Sequence, residues 1–325
     1  MVKNINTFFS ATIFLCLIAL SLILSFGSGF SALTLEGISL WLTLILPAMF
    51  PYFFITALLS SLSITSKIAS KFSPLTKRLF NVSGGCGYAF FMSLIAGYPI
   101  GAKIIGDLYD KGAINQSEAI RASTFCSTSS PMFLVSSVGA IMFKSRTFGL
   151  VLLISSTLSA IIIGIIFSNY NKADKPNSKP FLSNQKLDNI LYESAYSSVI
   201  SVLVVGAIIT VFYILSSILF KFNILSPIIS LFAIILGDFE RAKAVTFGLV
   251  ESTSGLKILS TCTYTALSMP LSAFICGFGG LSVIMQSIAY LKKAKIKTAP
   301  FIKAKLLSAV INFIITYFIC LFFQP

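Results

Sequence analysis

Histidine is absent from the 325 residues, and with it go Ser-His-Asp triads, histidine general bases and histidine metal sites. Charge is scarce as well: 10% of the residues are Asp, Glu, Lys or Arg, where about 25% is usual. Acid is the rarer sign, with 10 Asp+Glu against 24 Lys+Arg and a net charge of +14. The six cysteines (Cys16, Cys86, Cys126, Cys262, Cys276, Cys320) show no CxxC spacing, so they read as buried thiols and form neither a disulfide framework nor a metal cluster. Nothing in the sequence asks for a cofactor or a metal ion. What is plentiful is apolar. Hydrophobic residues make up 56% of the chain, and the mean hydropathy is +0.93. A soluble fold cannot hide that much apolar surface, so the expected class is an all-α protein that crosses a membrane several times.

The spans follow from the apolar runs. Phe8 to Phe26 carries no charge and reaches about 28 Å as a helix. It exceeds the apolar core of a signal peptide and reads as an uncleaved span. Ile38 to Leu62 is the second span, interrupted by Pro47 and Pro51. Residues 63–83 space Lys67, Lys71, Lys77 and Arg78 among Ile64, Ile68, Phe72, Leu75 and Leu79, the pattern of a basic amphipathic helix on the membrane surface. Tyr88 to Ala96 is too short to cross and ends in Gly97-Tyr98-Pro99-Ile100-Gly101, which predicts a re-entrant hairpin. Ala113 to Phe143 is broken at Ser127-Thr128-Ser129-Ser130-Pro131, whereas Phe148 to Phe167 crosses without interruption.

A polar linker occupies residues 169–194. Beyond it Ala195 to Phe220 crosses, Ile224 to Leu236 lies along the interface, and Val245 to Leu259 is interrupted at Glu251-Ser252-Thr253-Ser254-Gly255. Leu267 to Tyr290 contains Gly277-Phe278-Gly279-Gly280, and Phe301 to Phe323 closes the chain. Seven crossings result. A cytoplasmic N-terminus puts 17 of the 24 Lys/Arg inside, five outside and two, Lys103 and Lys257, in the hairpins, as the positive-inside rule requires. The basic excess therefore marks orientation in a lipid bilayer, and nucleic acid is not a partner.

The two parts of the chain align at a nearly constant offset. Ser73-Pro74 meets Ser226-Pro227, Gly101-Ala102-Lys103-Ile104 meets Gly255-Leu256-Lys257-Ile258, Cys126 meets Cys276, and Ser137 meets Ser287. Four anchors at matching architectural points predict a repeat. The domains are then an N-terminal helix (1–30), a first repeat (31–168), the cytoplasmic linker (169–194) and a second repeat (195–325). Three crossings per repeat invert the second against the first, the plan of many secondary transporters.

Each repeat supplies a hairpin tip and a broken span. In the first these carry Gly97, Pro99, Gly101 and Lys103, then Ser127, Thr128, Ser129 and Ser130. In the second they carry Glu251, Ser252, Thr253, Ser254, Gly255 and Lys257, then Gly277, Gly279, Gly280 and Ser282. Unwound helix ends expose N–H groups that hold anions and carbonyls that hold cations, and such groups belong beside a polar cavity. Lys103, Lys257 and Glu251 would together cost on the order of 8–10 kcal/mol in lipid. They must pair, snorkel or line water. Glu251 paired with one lysine leaves net positive charge, so the expected ligand is a small anion. Ser254-Gly255-Leu256-Lys257 fits the S-x-x-K of penicillin-binding hydrolases, but the companion motifs of that chemistry are missing and no enzyme is expected.

The segment Gly97-Tyr98-Pro99-Ile100-Gly101-Ala102-Lys103, the acidic-basic turn after it and the Ser-Pro-broken helix resemble the YlbJ-like sporulation integral membrane proteins of the Gate, or nucleoside-recognition, superfamily. Glu251-Ser252-Thr253-Ser254-Gly255 and Gly277-Phe278-Gly279-Gly280-Leu281-Ser282 fit the same plan, which is similar to that of concentrative nucleoside transporters. The resemblance implies an inverted-repeat transporter acting in sporulation, with dipicolinate (pyridine-2,6-dicarboxylate) as substrate, moved from the mother cell across the outer forespore membrane. Nucleoside carriers of the superfamily use acidic and amide side chains in their hairpins; the first tip here has no carboxylate. A nucleoside or other cation-coupled carrier and a non-transporting scaffold of the spore envelope are the alternatives. A homo-oligomer is compatible with all three.

Overall fold

The structure, a computed structural model, describes residues 28–61, 64–171 and 189–323. The expected first span at Phe8 to Phe26 and most of the linker at 169–194 lie outside the described residues. All elements of the described residues are helical. The chain enters on α1 (Ser28–Leu40), runs through a π-helical stretch, Trp41–Ile45, and continues as α2 (Leu46–Ser61). Pro47 lies at this joint and removes a backbone donor, and the arms Gly29–Ile45 and Met49–Leu59 bend by 60°. The helix is already formed at Ser28, ahead of the expected start at Ile38. The helix runs straight through Glu36, whose carboxylate accepts from the Tyr213 hydroxyl.

Next comes α3 (Ile64–Phe80), with Lys71, Lys77 and Arg78 exposed and Thr76 and Phe80 buried, as its charge spacing predicts. It turns by 95° into α4 (Gly84–Ala96). The Phe80 ring packs on Phe90 of α4 and on Phe125, with centroids 5.7 and 4.5 Å away. Each such pair is worth about 0.5–1.5 kcal/mol beyond its buried area.

The first hairpin is α4, the Gly97-Tyr98-Pro99 tip with a cis Tyr98–Pro99 bond, and α5 (Ile100–Asp110). Then α6 (Gln116–Phe125) opens on a capping box. The Asn115 side chain accepts from the Glu118 N–H at 2.8 Å, and Glu118 accepts from the Asn115 N–H at 3.1 Å. Its other carboxylate oxygen accepts from the Ser83 N–H at 2.7 Å, tying the start of α6 to the start of α4. The helix breaks over 126–130 and resumes as α7 (Phe133–Met142), a π-helix, followed by α8 (Arg146–Ile166), which Ser145 caps.

After the linker, α9 (Ile190–Lys221) spans 32 residues, and α10 (Ser226–Leu236) ends in a left-handed Gly237. The second hairpin is α11 (Phe239–Val250) and α12 (Ser252–Thr261). The interruption expected over Glu251 to Gly255 contracts to Glu251 alone, because Glu251 caps α12 and lets Ser252 to Gly255 form its first turn. Likewise α13 (Ser268–Phe278) and α14 (Gly280–Lys293) part only at Gly279 and together make one span of 26 residues. The chain ends on α15 (Ala299–Phe323).

Among the described residues four helices are long and apolar enough to cross a membrane, α8, α9, α13–α14 and α15, and counting each of the bent pairs α1–α2 and α3–α4 as one span gives up to six. This is a multi-pass membrane protein. From α3 onward the element order repeats after α9: a short helix, a hairpin, a parted pair and a long helix. The packing repeats too. Between the halves α5 touches α14 as α12 touches α7, α6 touches α15 as α13 touches α8, and α8 lies on α15. Helices α1 and α2 lean on α9.

Candidate functional site

Each hairpin tip rests on the break of its own half. Gly97 lies at φ +77°, and a Cβ there would sit 2.6 Å from the Ser130 nitrogen, so only glycine lets the tip close on the break. The Tyr98 N–H donates to the Thr128 carbonyl at 2.8 Å, and the Thr128 hydroxyl donates to the Ser93 carbonyl at 2.7 Å. In the second half Gly280, at φ +75°, would put a Cβ 2.9 Å from the Ser252 nitrogen.

The two tips face each other. Tyr98, Ser130, Glu251, Ser252, Thr253 and Gln286 line one small cavity, closed on its apolar side by residues of α2, α7 and α9. A second cavity is more polar, walled by Ser127, Thr128, Ser156, Lys305, Ser308 and Asn312. Each has room for about one water. Tyr98 stands between them, lining the first while its ring lies 5.4 Å from the Lys305 Nζ of the second. The Ser129 hydroxyl donates to the Tyr98 oxygen at 3.0 Å and fixes the ring.

Lys305 is 2% exposed. Its Nζ donates to the Ser127 carbonyl, freed by the break, at 3.2 Å. Among the described residues the ion pairs are Asp238–Arg241 at 3.2 Å and Glu240–Lys243 at 3.8 Å, both at the base of the second hairpin. Lys305 therefore faces no carboxylate there. Nearby, the Ser127 hydroxyl and the Asn312 carbonyl oxygen are buried and make no hydrogen bond. An ammonium with three donors and one protein acceptor, beside an unpartnered hydroxyl, is chemically prepared for an anion, whereas the Asn312 oxygen, an acceptor, calls for water.

Glu251, 1% exposed, does not pair with a lysine as expected. Its carboxylate accepts from the Thr253 and Ser254 N–H groups at 2.9 and 2.7 Å, so the N-terminus of α12 already holds its own anion. Lys103 is half-buried and donates to the Ser197 hydroxyl of α9 at 3.2 Å, whereas Lys257 is exposed on α12. Neither lines either of these two cavities. Gly101 packs against Ser93 and the Cys126 carbonyl, and Gly255 against Gly248, which sets the closeness of the hairpin arms. Pro99 supplies the cis turn. Gly277 lines the second cavity against Asn312, Gly279 lies beside the Lys305 amine, and Ser282 is buried with its hydroxyl unpartnered.

Tyr98, Gln286, Lys305, Ser308 and Asn312 escaped the sequence reading as site residues. Lys305 closes the basic run that starts at Lys292, which the positive-inside rule places on the cytoplasmic side. The usable signal was helical phase: Lys305, Ser308, Asn312 and Thr316 fall on one face of an otherwise apolar helix.

Over residues 42–170 the chain matches the Gate family, described as nucleoside recognition. It is also similar to the sporulation integral membrane protein YlbJ of Bacillus subtilis (strain 168), with 26% identity over 334 aligned positions that cover 95% of this chain and 81% of the relative. No solved structure matches it significantly.

Proposed function

We propose, from that likeness, that the chain is a carrier that moves a small organic anion across a membrane during sporulation, with dipicolinate the leading candidate. The buried Lys305 amine, without a carboxylate partner among the described residues and set beside a broken helix, carries this reading. Burying an uncompensated ammonium costs several kcal/mol, and a carboxylate ligand that neutralises it recovers part of that cost. The repeated element order and the reciprocal packing of the halves support an inverted repeat, in which the two tips open in turn to opposite faces. As they stand the tips leave space for about one water, so an aromatic dianion enters only when they part. The membrane in question is then the outer forespore membrane, with the N-terminus cytoplasmic.

One observation favours a second reading. Glu251 and Gln286 give the other cavity an acid and an amide, the side-chain types with which nucleoside carriers bind their substrates. Both oxygens of Glu251 are engaged by backbone N–H groups, which argues against its use as a ligand. Purified protein in liposomes decides between them. Labelled dipicolinate is expected to accumulate and uridine is not. Lys305→Met should lower uptake about ten-fold or more, the loss of one charge-assisted contact, while Lys257→Met should stay within about two-fold. Uridine uptake without dipicolinate uptake overturns the anion reading. Uptake of neither, with cysteines at Ser129 and Ser254 closed to hydrophilic thiol reagents, supports a scaffold.

A further inference from the structure

The polar face of α15 continues past the tips. Lys305, Ser308, Asn312 and Thr316 follow one another at spacings of three and four and share one side of the helix. Lys305, Asn312 and Thr316 are buried. On that side α8 brings Ser156, Ser159 and Ala160 alongside Ile163, and α13 brings Cys276 and Gly277. The Ser159 hydroxyl of α8 lies 3.2 Å from the Ser308 hydroxyl, and Gly277 of α13 faces Asn312 without a side chain.

Two explanations compete for such a stripe inside a membrane. Polar side chains can bind helices together, and that role leaves them satisfied by each other. Here they are not. The Asn312 amide nitrogen reaches the Ser308 hydroxyl only at 3.5 Å, and its carbonyl oxygen accepts nothing. The buried Thr316 hydroxyl also has no partner. Helical threonines commonly bond the carbonyl four residues back, as Thr157 and Thr246 do in this chain, so Thr316 departs from the local habit. Unpartnered buried polar atoms of this kind are normally met by water or by a ligand. The void beside Lys305, Ser308 and Asn312 has room for about one water.

We infer that this face of α15 is the wall of a hydrated half-path, leading from Lys305 toward the end of the bundle where Cys320 meets Met269, along which water and the polar end of the transported anion travel. It rests on the carrier reading and extends that site: the Asn312 amide and the Ser308 and Thr316 hydroxyls offer donors to an anion that has left the Lys305 amine.

The test uses the full chain in liposomes, with the native cysteines replaced by serine and single cysteines at Asn312, Thr316 and Ile314. Ile314 is exposed on the outer side of the same helix, facing lipid. A small membrane-impermeant methanethiosulfonate should label Asn312→Cys and Thr316→Cys at least about ten-fold faster than Ile314→Cys, because thiolates form in water and hardly at all in hydrocarbon. Equal, slow labelling of all three overturns the path. Should the cysteine-free chain not fold, the chain with its own cysteines gives the second readout. Asn312→Leu and Thr316→Val should each lower dipicolinate uptake by about five-fold or more with the melting temperature unchanged, and unchanged uptake again overturns the path. Fast labelling with no dipicolinate uptake confirms the path and refutes the proposed substrate, so the two ideas fail separately.

Discussion

Two buried charges on neighbouring elements meet opposite fates. Glu118 is satisfied: two backbone N–H groups donate to its carboxylate, and it joins α6 to α4. Lys305 has one carbonyl and one ring face. The difference predicts opposite effects on stability. Glu118→Ala leaves two N–H groups without an acceptor and should lower stability by about 2–4 kcal/mol. Lys305→Met, in contrast, removes an uncompensated charge and should hold or raise the melting temperature in detergent while lowering uptake about ten-fold or more. Thermal unfolding of both variants checks this, and a marked drop for Lys305→Met would mean that its role is structural. The sequence showed part of this. Gly97 stood out because a Gly-Tyr-Pro-Ile-Gly turn after a short apolar arm leaves the chain few alternatives. Lys305 did not, because composition cannot tell a lysine that reaches water from one that points into the bundle; only its phase on α15 could.

At the scale of elements, the interruptions were placed well and their widths were not. Serine, threonine and glycine runs mark where a helix can part, but the same residues form good first turns once something caps them. Over 126–130 the cap comes late: only Ser130 restarts the helix, its hydroxyl accepting from the Phe133 N–H at 3.2 Å, and the Ser127 and Thr128 carbonyls before it turn outward to Lys305 and Tyr98. At Glu251 a single carboxylate restarts the helix, so Ser252 to Gly255 stay helical. Glu251→Ala should therefore widen the second break toward the form of the first, at a cost of about 1–2 kcal/mol. Amide exchange of Thr253 and Ser254 should speed up, while Glu251→Asp keeps an acceptor and most of the protection. Hydrogen exchange of the chain in lipid nanodiscs measures it; unchanged protection in Glu251→Ala would show that packing rather than the cap holds that turn.

For the whole molecule, the repeated order of elements was legible because each half carries the same punctuation at a nearly constant offset. How the halves dock was not, since helix-to-helix contacts in a membrane depend on small residues and close approach more than on hydropathy. The structure makes docking specific. Gly106 of α5 faces Ala294, just past the end of α14, and a Cβ at Gly106 would lie 3.5 Å from the Ala294 Cβ. That separation lies within the range a disulfide spans, and the pair joins the first hairpin to the second half. A Gly106→Cys/Ala294→Cys chain should therefore close this bond under mild oxidation, seen as a linked peptide by mass spectrometry and absent from either single variant. Its formation in liposomes would fix the reciprocal packing of α5 on α14 in the membrane. Failure to link, with both thiols still free, would mean that the halves meet along other faces, and the two tips would then have no reason to enclose a common site.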